Sequence, residues 1–272
     1  MAKRNTAKEQ KGKIALITGS SSGFGLEFSN LFAADGCELI ITARPGTDIA
    51  SIGKQLHEIY SVPVTTFEID LSEHGSAKKL YDFVKSKGKN VDFLINNAGI
   101  GNFGRFADNS LEREHELLEL NVVSLAELCH HFIPDMVKKG GGKILNVASI
   151  AAFQAGAYYA TYFASKAFVL LFSEALALEY KKDKITVTAL CPGISRTNFF
   201  KRAGMPVSSP VLQTAMGPAY LVAKAGYKGM LKGKQIVTPG LKNKFISKSY
   251  RWLPRKAIAK VTQKLVEIAG RG

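Results

Sequence analysis

In TYFASK, residues 161–166, a tyrosine and a lysine stand four positions apart in a run with no other charge. A free phenol titrates near pH ~10, too high for efficient proton exchange at neutrality, and a neighbouring ammonium stabilises the phenolate. Positions i and i+4 of a helix share a face. Tyr162 and Lys166 can therefore address one site, and the spacing predicts a phenol made more acidic by its lysine. Tyr158 and Tyr159 have Tyr162 and Phe163 at that spacing, so of the three tyrosines only Tyr162 has a lysine. Ser149 follows a strand-like run, where a hydroxyl can hold a substrate oxygen near that phenol or cap a turn.

A second group of residues could hold phosphate. ITGSSSGFG, residues 17–25, sits between an apolar β-rich run and a helical pattern, where backbone N–H groups and a helix N-terminus can meet a pyrophosphate. Gly19 makes the turn, Gly23 permits close approach and Gly25 lets helix and strand pack, with Ser21, Ser22 and Phe24 in the same loop. After the second strand-like run comes IITARPG. An acid there would hold a ribose 2′-hydroxyl, whereas Arg44 suits a 2′-phosphate, so NADP(H) is expected ahead of NAD(H).

These residues need a scaffold, and the periodicity supplies one. KIALIT, CELIITA, VPVTTFEI, VDFLIN, KILNVAS, ITVTALC and KQIVTPG read as seven strands. Helical patterns lie between them, among them a continuous helix from about 112 to 139 and another over 160–181. Strands alternating with helices predict a doubly wound α/β (Rossmann-type) domain, a mostly parallel seven-stranded sheet with helices on both faces. One domain is expected over 13–240, between a basic N-terminal extension, 1–12, and a basic C-terminal extension, 241–272, that carries an amphipathic helix.

With these motifs in order, the chain resembles the short-chain dehydrogenase/reductase family over roughly 13–240. Thr18, Gly19, Gly23 and Gly25 match its glycine turn, Asn96-Asn97-Ala98-Gly99 its N-N-A-G stretch, and Tyr162 with Lys166 its Y-x-x-x-K. The closest likeness is to a bacterial branch akin to 3-oxoacyl and hydroxysteroid reductases. The resemblance implies catalysis by Asn121, Ser149, Tyr162 and Lys166, with Asn121 holding a water that links the lysine to solvent. It also implies that Tyr162 and Lys166 contact the cofactor, Lys166 at the nicotinamide ribose. Asp70 would contact adenine, Asn97 and Ala98 would lie beside its ribose and Ile194 and Thr197 would meet the carboxamide, with Leu71, Gly99, Pro192 and Gly193 also implied as cofactor contacts. Asp70 could instead cap a helix. A homodimer or homotetramer built on the helices at 112–139 and 160–180 follows from the same likeness.

Composition narrows the rest. At 272 residues, 46% hydrophobic and 22% charged, the chain can build a sizeable core, and no run of about 20 uninterrupted apolar residues suggests a membrane span. The polar MAKRNTAKEQKGK start lacks a secretory pattern, so a cytoplasmic address is expected. Cys37, Cys129 and Cys191 are too scattered for a disulfide framework, and adjacent side chains in CHH, 129–131, point about 100° apart, which disfavours a metal. Of the net charge of +15, residues 1–13 carry +4 and 232–272 carry +10, so the basicity belongs to the ends. Such ends suit a peripheral membrane contact or an acidic carrier protein, and nucleic acid ranks last. In PRKAIAKVTQKLVEIAG, Ile258, Val261, Leu265 and Ile268 form one helical face, expected to dock on the protein, a sister subunit or a membrane.

The substrate loops are read as GNFGRF, FQAGAYY and the segment 198–217, the last as a lid. Their aromatics favour a lipophilic small-molecule ketone or aldehyde, or the corresponding alcohol. An NADPH-dependent carbonyl reductase is the leading reading. A 3-oxoacyl thioester reductase (carrier protein or coenzyme A) and an NADP-binding regulator without turnover are the alternatives.

Overall fold

Parallel strands bury both faces, and the alternation of core residues along each strand sets which helices they meet. The computed structural model describes residues 10–205, 216–249 and 252–270. Its sheet runs in the order β3-β2-β1-β4-β5-β6-β7, with every neighbouring pair parallel. The strands are β1 (Ile14–Thr18), β2 (Glu38–Ala43), β3 (Val64–Glu68), β4 (Phe93–Asn96), β5 (Gly142–Val147), β6 (Ile185–Leu190) and β7 (Ile236–Val237).

On one face Leu16, Ile40, Leu94 and Ile144 pack under α3 (Ser76–Ser86), α5 (Ser124–Lys139) and α6 (Ala160–Glu179). On the other, Ile17, Leu39, Ile41 and Ile95 pack under α1 (Gly23–Ala34), α2 (Ile49–Tyr60) and α8 (Ala219–Leu231). The remaining helices are α4 (Leu111–Leu118), the short α7 (Phe199–Arg202), α9 (Leu241–Ser249) and α10 (Arg255–Gly270). By length and composition α6 could cross a membrane, yet one of its faces is packed on the sheet. Asn146 on β5 ties it there, accepting from Asn96 at 2.9 Å and donating to Ser173 of α6 at 2.9 Å.

Three elements depart from the periodicity reading. The helix expected over 112–139 is interrupted by a π turn at Glu119–Val123, which joins α4 to α5. The helix α8 was hidden by Gly226 and Gly229, weak helix formers that here admit close neighbours. A Cβ on Gly226 would meet Leu190 at 2.8 Å, and one on Gly229 would meet Val237 at 2.2 Å. The Lys-rich α9 gave no apolar period to read.

The order reverses between β1 and β4, the switch point where a crevice opens at the strand ends. Thr18 and Asn97 clasp it. Thr18 Oγ1 accepts from the N–H groups of Asn97 and Ala98, each at 3.0 Å, while Asn97 Nδ2 donates to the carbonyls of Thr18 at 2.8 Å and Gly19 at 3.2 Å. Gly25 faces this clasp, and a Cβ on it would stand 2.2 Å from the Gly19 carbonyl oxygen and 2.6 Å from Asn97 Nδ2. Gly25→Ala should therefore destabilise by about 1–3 kcal/mol through overpacking, against the gain of up to ~1 kcal/mol that alanine brings to an ordinary helix position. Urea melts of the two proteins check this, and a stabilised variant would contradict the close packing.

Candidate active site

A cavity of about 520 Å³ occupies the switch-point crevice. The glycine loop after β1 forms its first wall, through Gly19, Ser21, Ser22, Gly23 and Phe24. Gly19 and Gly23 take positive φ angles, +69° and +58°, which side chains resist. Ser22, at the N-cap of α1, is extended and makes no side-chain cap, and the first turn holds no acid. The orphan N–H groups there are left for an anion. At the tip of β2, Ala43 and Arg44 line the same cavity, and Arg44 forms no ion pair among the described residues. An uncapped helix N-terminus, a glycine cradle and an unpaired arginine fit a dinucleotide with an additional phosphate.

Leu71 lines the cavity, but Asp70 beside it does not. The Asp70 carboxylate accepts from the N–H of Ser72 at 2.9 Å and its hydroxyl at 2.6 Å, a local Asx turn; Gly75, not Asp70, is the N-cap of α3. Asn97, Ala98 and Gly99 form the floor, and Pro192, Gly193, Ile194 and Thr197 the opposite wall. Gly25 stands behind the floor in the packing described above.

Tyr162, Lys166 and Ser149 meet in the cavity. Ser149 caps the 3-10 turn Ile150–Phe153, accepting from the N–H of Ala151 at 3.1 Å, and also hydrogen-bonds the Tyr162 phenol. The turn cap read from its sequence position is thus present, and the same hydroxyl is turned toward the phenol. Lys166 is buried; its Nζ donates to the Val147 carbonyl at 2.8 Å and lies 5.8 Å from the centre of the Tyr162 ring. Its neighbours include Gly99, where a Cβ would stand 3.3 Å from Lys166 Nζ and 3.1 Å from Asn121 Oδ1.

The electrostatics correct one expectation. Burial pushes the Tyr162 phenol up to about 12, with the Ser149 hydrogen bond opposing, so desolvation outweighs any acidifying effect of the lysine. Burial also brings Lys166 down to about 8. Near neutrality the phenol keeps its proton and the amine keeps its charge.

Asn121 sits within the π turn and does not line the cavity. Its side chain is satisfied by Ile100, accepting from the N–H at 2.9 Å and donating to the carbonyl at 2.9 Å, and it reaches Ser165 Oγ at 3.1 Å. The π turn widens the helix at this point and brings the amide to the strand β4 loop. Asn121 thereby braces the loop that carries Gly99 against the helix that carries Lys166.

The outer part of the cavity is aromatic. The Tyr162 ring lies 5.7 Å from Tyr159 and 5.2 Å from Phe199, centre to centre, and Phe163 and Phe200 also line the wall. The segment 198–217, expected to act as a lid, contributes α7, and its residues 206–215 lie outside the described residues. Residues that sequence reasoning did not assign to the site come from the C-terminal segment: Ile246, Leu253, Ile258, Val261 and Leu265 close the cavity from above. The docked stripe of α10 is Ile258, Thr262 and half-buried Val266, whereas Val261, Leu265 and Ile268 of the expected docking face are exposed. The apolar period of 255–270 signalled a helix with a buried side, but its partner is a long-range property.

The chain matches the family model described as short chain dehydrogenase over residues 13–206. It is 33% identical over 190 residues to a fatty acyl-CoA reductase of Acinetobacter baylyi, covering 69% of this chain and 64% of that relative's length. To a very-long-chain 3-oxoacyl-CoA reductase of Laccaria bicolor it is 31% identical over 228 residues, 81% of this chain and 67% of the other. A solved short-chain dehydrogenase of Sphingobium yanoikuyae in complex with NADPH superposes with a TM-score of 0.79 at 28% identity, covering 94% of this chain and 95% of that one.

The buried amine carries a prediction of its own. In NMR spectra of protein labelled at lysine Cε, one resonance should titrate near pH 8 and vanish in Lys166→Met, whereas an exposed lysine titrates near 10.5. A spectrum with every lysine at the ordinary value would remove the burial argument.

Proposed function

The chain belongs to the short-chain dehydrogenase/reductase family, and from that premise we propose that it is an NADPH-dependent carbonyl reductase with Tyr162 as its general acid. The observation that carries this reading is the convergence of Tyr162, Ser149 and Lys166 in one cavity with the glycine loop and Arg44 at its other end. When bound, the cofactor supplies hydride to the carbonyl carbon. Ser149 holds the carbonyl oxygen, and Tyr162 transfers its phenolic proton to that oxygen as the alcohol forms. An alkoxide is a far stronger base than a phenolate, so a phenol at about 12 remains a competent donor. The Lys166 ammonium stabilises the phenolate left behind until solvent returns the proton.

Arg44, unpaired at the tip of β2, supports NADP(H) over NAD(H), as does the NADPH bound to the Sphingobium relative. The aromatic wall around Tyr159, Phe163 and Phe199 favours a lipophilic ketone or aldehyde, in keeping with relatives named for acyl-CoA and 3-oxoacyl-CoA substrates. A 3-oxoacyl thioester is the second reading, favoured by the cations carried on α9 and α10, whose other faces line the cavity; acetoacetyl-coenzyme A set against simple hydrophobic ketones separates the two. Exposed Phe168, Leu171 and Leu178 form a stripe on α6 that supports a homodimer or homotetramer.

Tyr162→Phe should lower turnover by about 100- to 10,000-fold, the usual contribution of general acid catalysis, while NADPH binding measured by fluorescence persists. Undiminished turnover would end the enzymatic account. Arg44→Asp should raise the KM for NADPH by about 10- to 100-fold, corresponding to a lost charge-assisted hydrogen bond, and spare NADH. An unchanged KM for NADPH would return Arg44 to the role of a surface side chain.

A further inference from the structure

Among the described residues the three most exposed large apolar side chains are Leu241, Trp252 and Phe245, at 84%, 83% and 77%. All three fall in α9 or the connection to α10. Leu253, Val261, Leu265 and Ile268 add a further exposed apolar stripe. Interleaved with them are Lys242, Lys244, Lys248, Arg255, Lys256, Lys260 and Lys264, all exposed. None of these pairs with a carboxylate among the described residues, and Glu267 is the single acid between 241 and 270.

Successive residues of a helix turn by 100°, so the faces of α10 can be laid out in order. Ile258, Thr262 and Val266 face the protein, the stripe Val261, Leu265, Ile268 comes next, and Lys256, Lys260 and Lys264 lie beyond it. An apolar band flanked by lysines is the arrangement of a helix lying in a bilayer interface. Leu253, Val261 and Leu265 belong to both surfaces: they line the catalytic cavity and are more than half exposed.

We infer that the exposed faces of residues 241–249 and 252–268 dock on an anionic lipid bilayer and open the catalytic cavity toward it, so that lipophilic substrate enters from the membrane between Leu253, Val261 and Leu265. A second copy of the chain is disfavoured as occupant, because a two-fold contact would set seven unpaired cations against seven. An acidic protein would answer the lysines but leave the tryptophan, phenylalanine and leucine without an apolar partner.

The sequence contains one tryptophan, Trp252, so its fluorescence reports on this surface directly. With vesicles of equimolar phosphatidylcholine and phosphatidylglycerol, the full chain should co-sediment and its emission shift to the blue. Phosphatidylcholine alone should do neither, and an acidic acyl-carrier protein should produce no shift. Lys256→Glu/Lys260→Glu/Lys264→Glu, shown by thermal melting to be folded, should weaken vesicle binding by about 100-fold or more. Absence of binding to anionic vesicles, full binding by the triple variant, or a blue shift that follows protein concentration without lipid would each overturn the inference. The entry route rests on the carbonyl-reductase reading, but vesicle binding is measured without turnover, so its failure leaves that reading standing.

Discussion

A buried ammonium held by one backbone carbonyl organises this molecule. Lys166 loses most of its hydration on α6, and its Nζ donates to the Val147 carbonyl at the tip of β5, 2.8 Å away. Burial of that kind is tolerated only where geometry over-determines it. The Asn96–Asn146–Ser173 chain ties α6 to the sheet, and Asn121 braces the loop bearing Gly99 against the same helix. With the lysine so placed, the phenol one turn before it and the serine after β5 have a fixed relation to each other.

The nucleotide half of the crevice depends on the same economy of polar contacts. One threonine hydroxyl and one asparagine side chain hold the ends of β1 and β4 together, and the loop they fix leaves the first turn of α1 uncapped. A helix terminus without a cap is ordinarily a weakness. Here it leaves N–H donors free at the wall of a cavity that Arg44, at the next strand tip, also lines.

How much of this was readable from the chain depended on distance along it. The Tyr162–Lys166 pair, the glycine loop and Arg44 were legible because their chemistry is set by short spacings and by position relative to a strand. So was the seven-stranded parallel sheet, although β7 contracts to two residues. The proton affinity of Tyr162 was misread, since a four-residue spacing reveals the lysine but not the burial that overrides it. The brace made by Asn121 was not legible because a π turn has no local sequence rule, and its partner Ile100 lies 21 residues away. Helix α8 was concealed by glycines whose purpose is close approach to β6 and β7. Periodicity pointed to the wrong stripe of α10, since the inward face includes Thr262 and is less apolar than the exposed stripe of Val261, Leu265 and Ile268.

The closure of the cavity by α9 and α10 also fixes an order of assembly. Both helices follow every strand among the described residues, so a ribosome delivers the glycine loop, α6 and the sheet before the roof that completes the pocket. A nascent chain would thus acquire the glycine-loop half of the crevice first and the apolar roof over its outer half last.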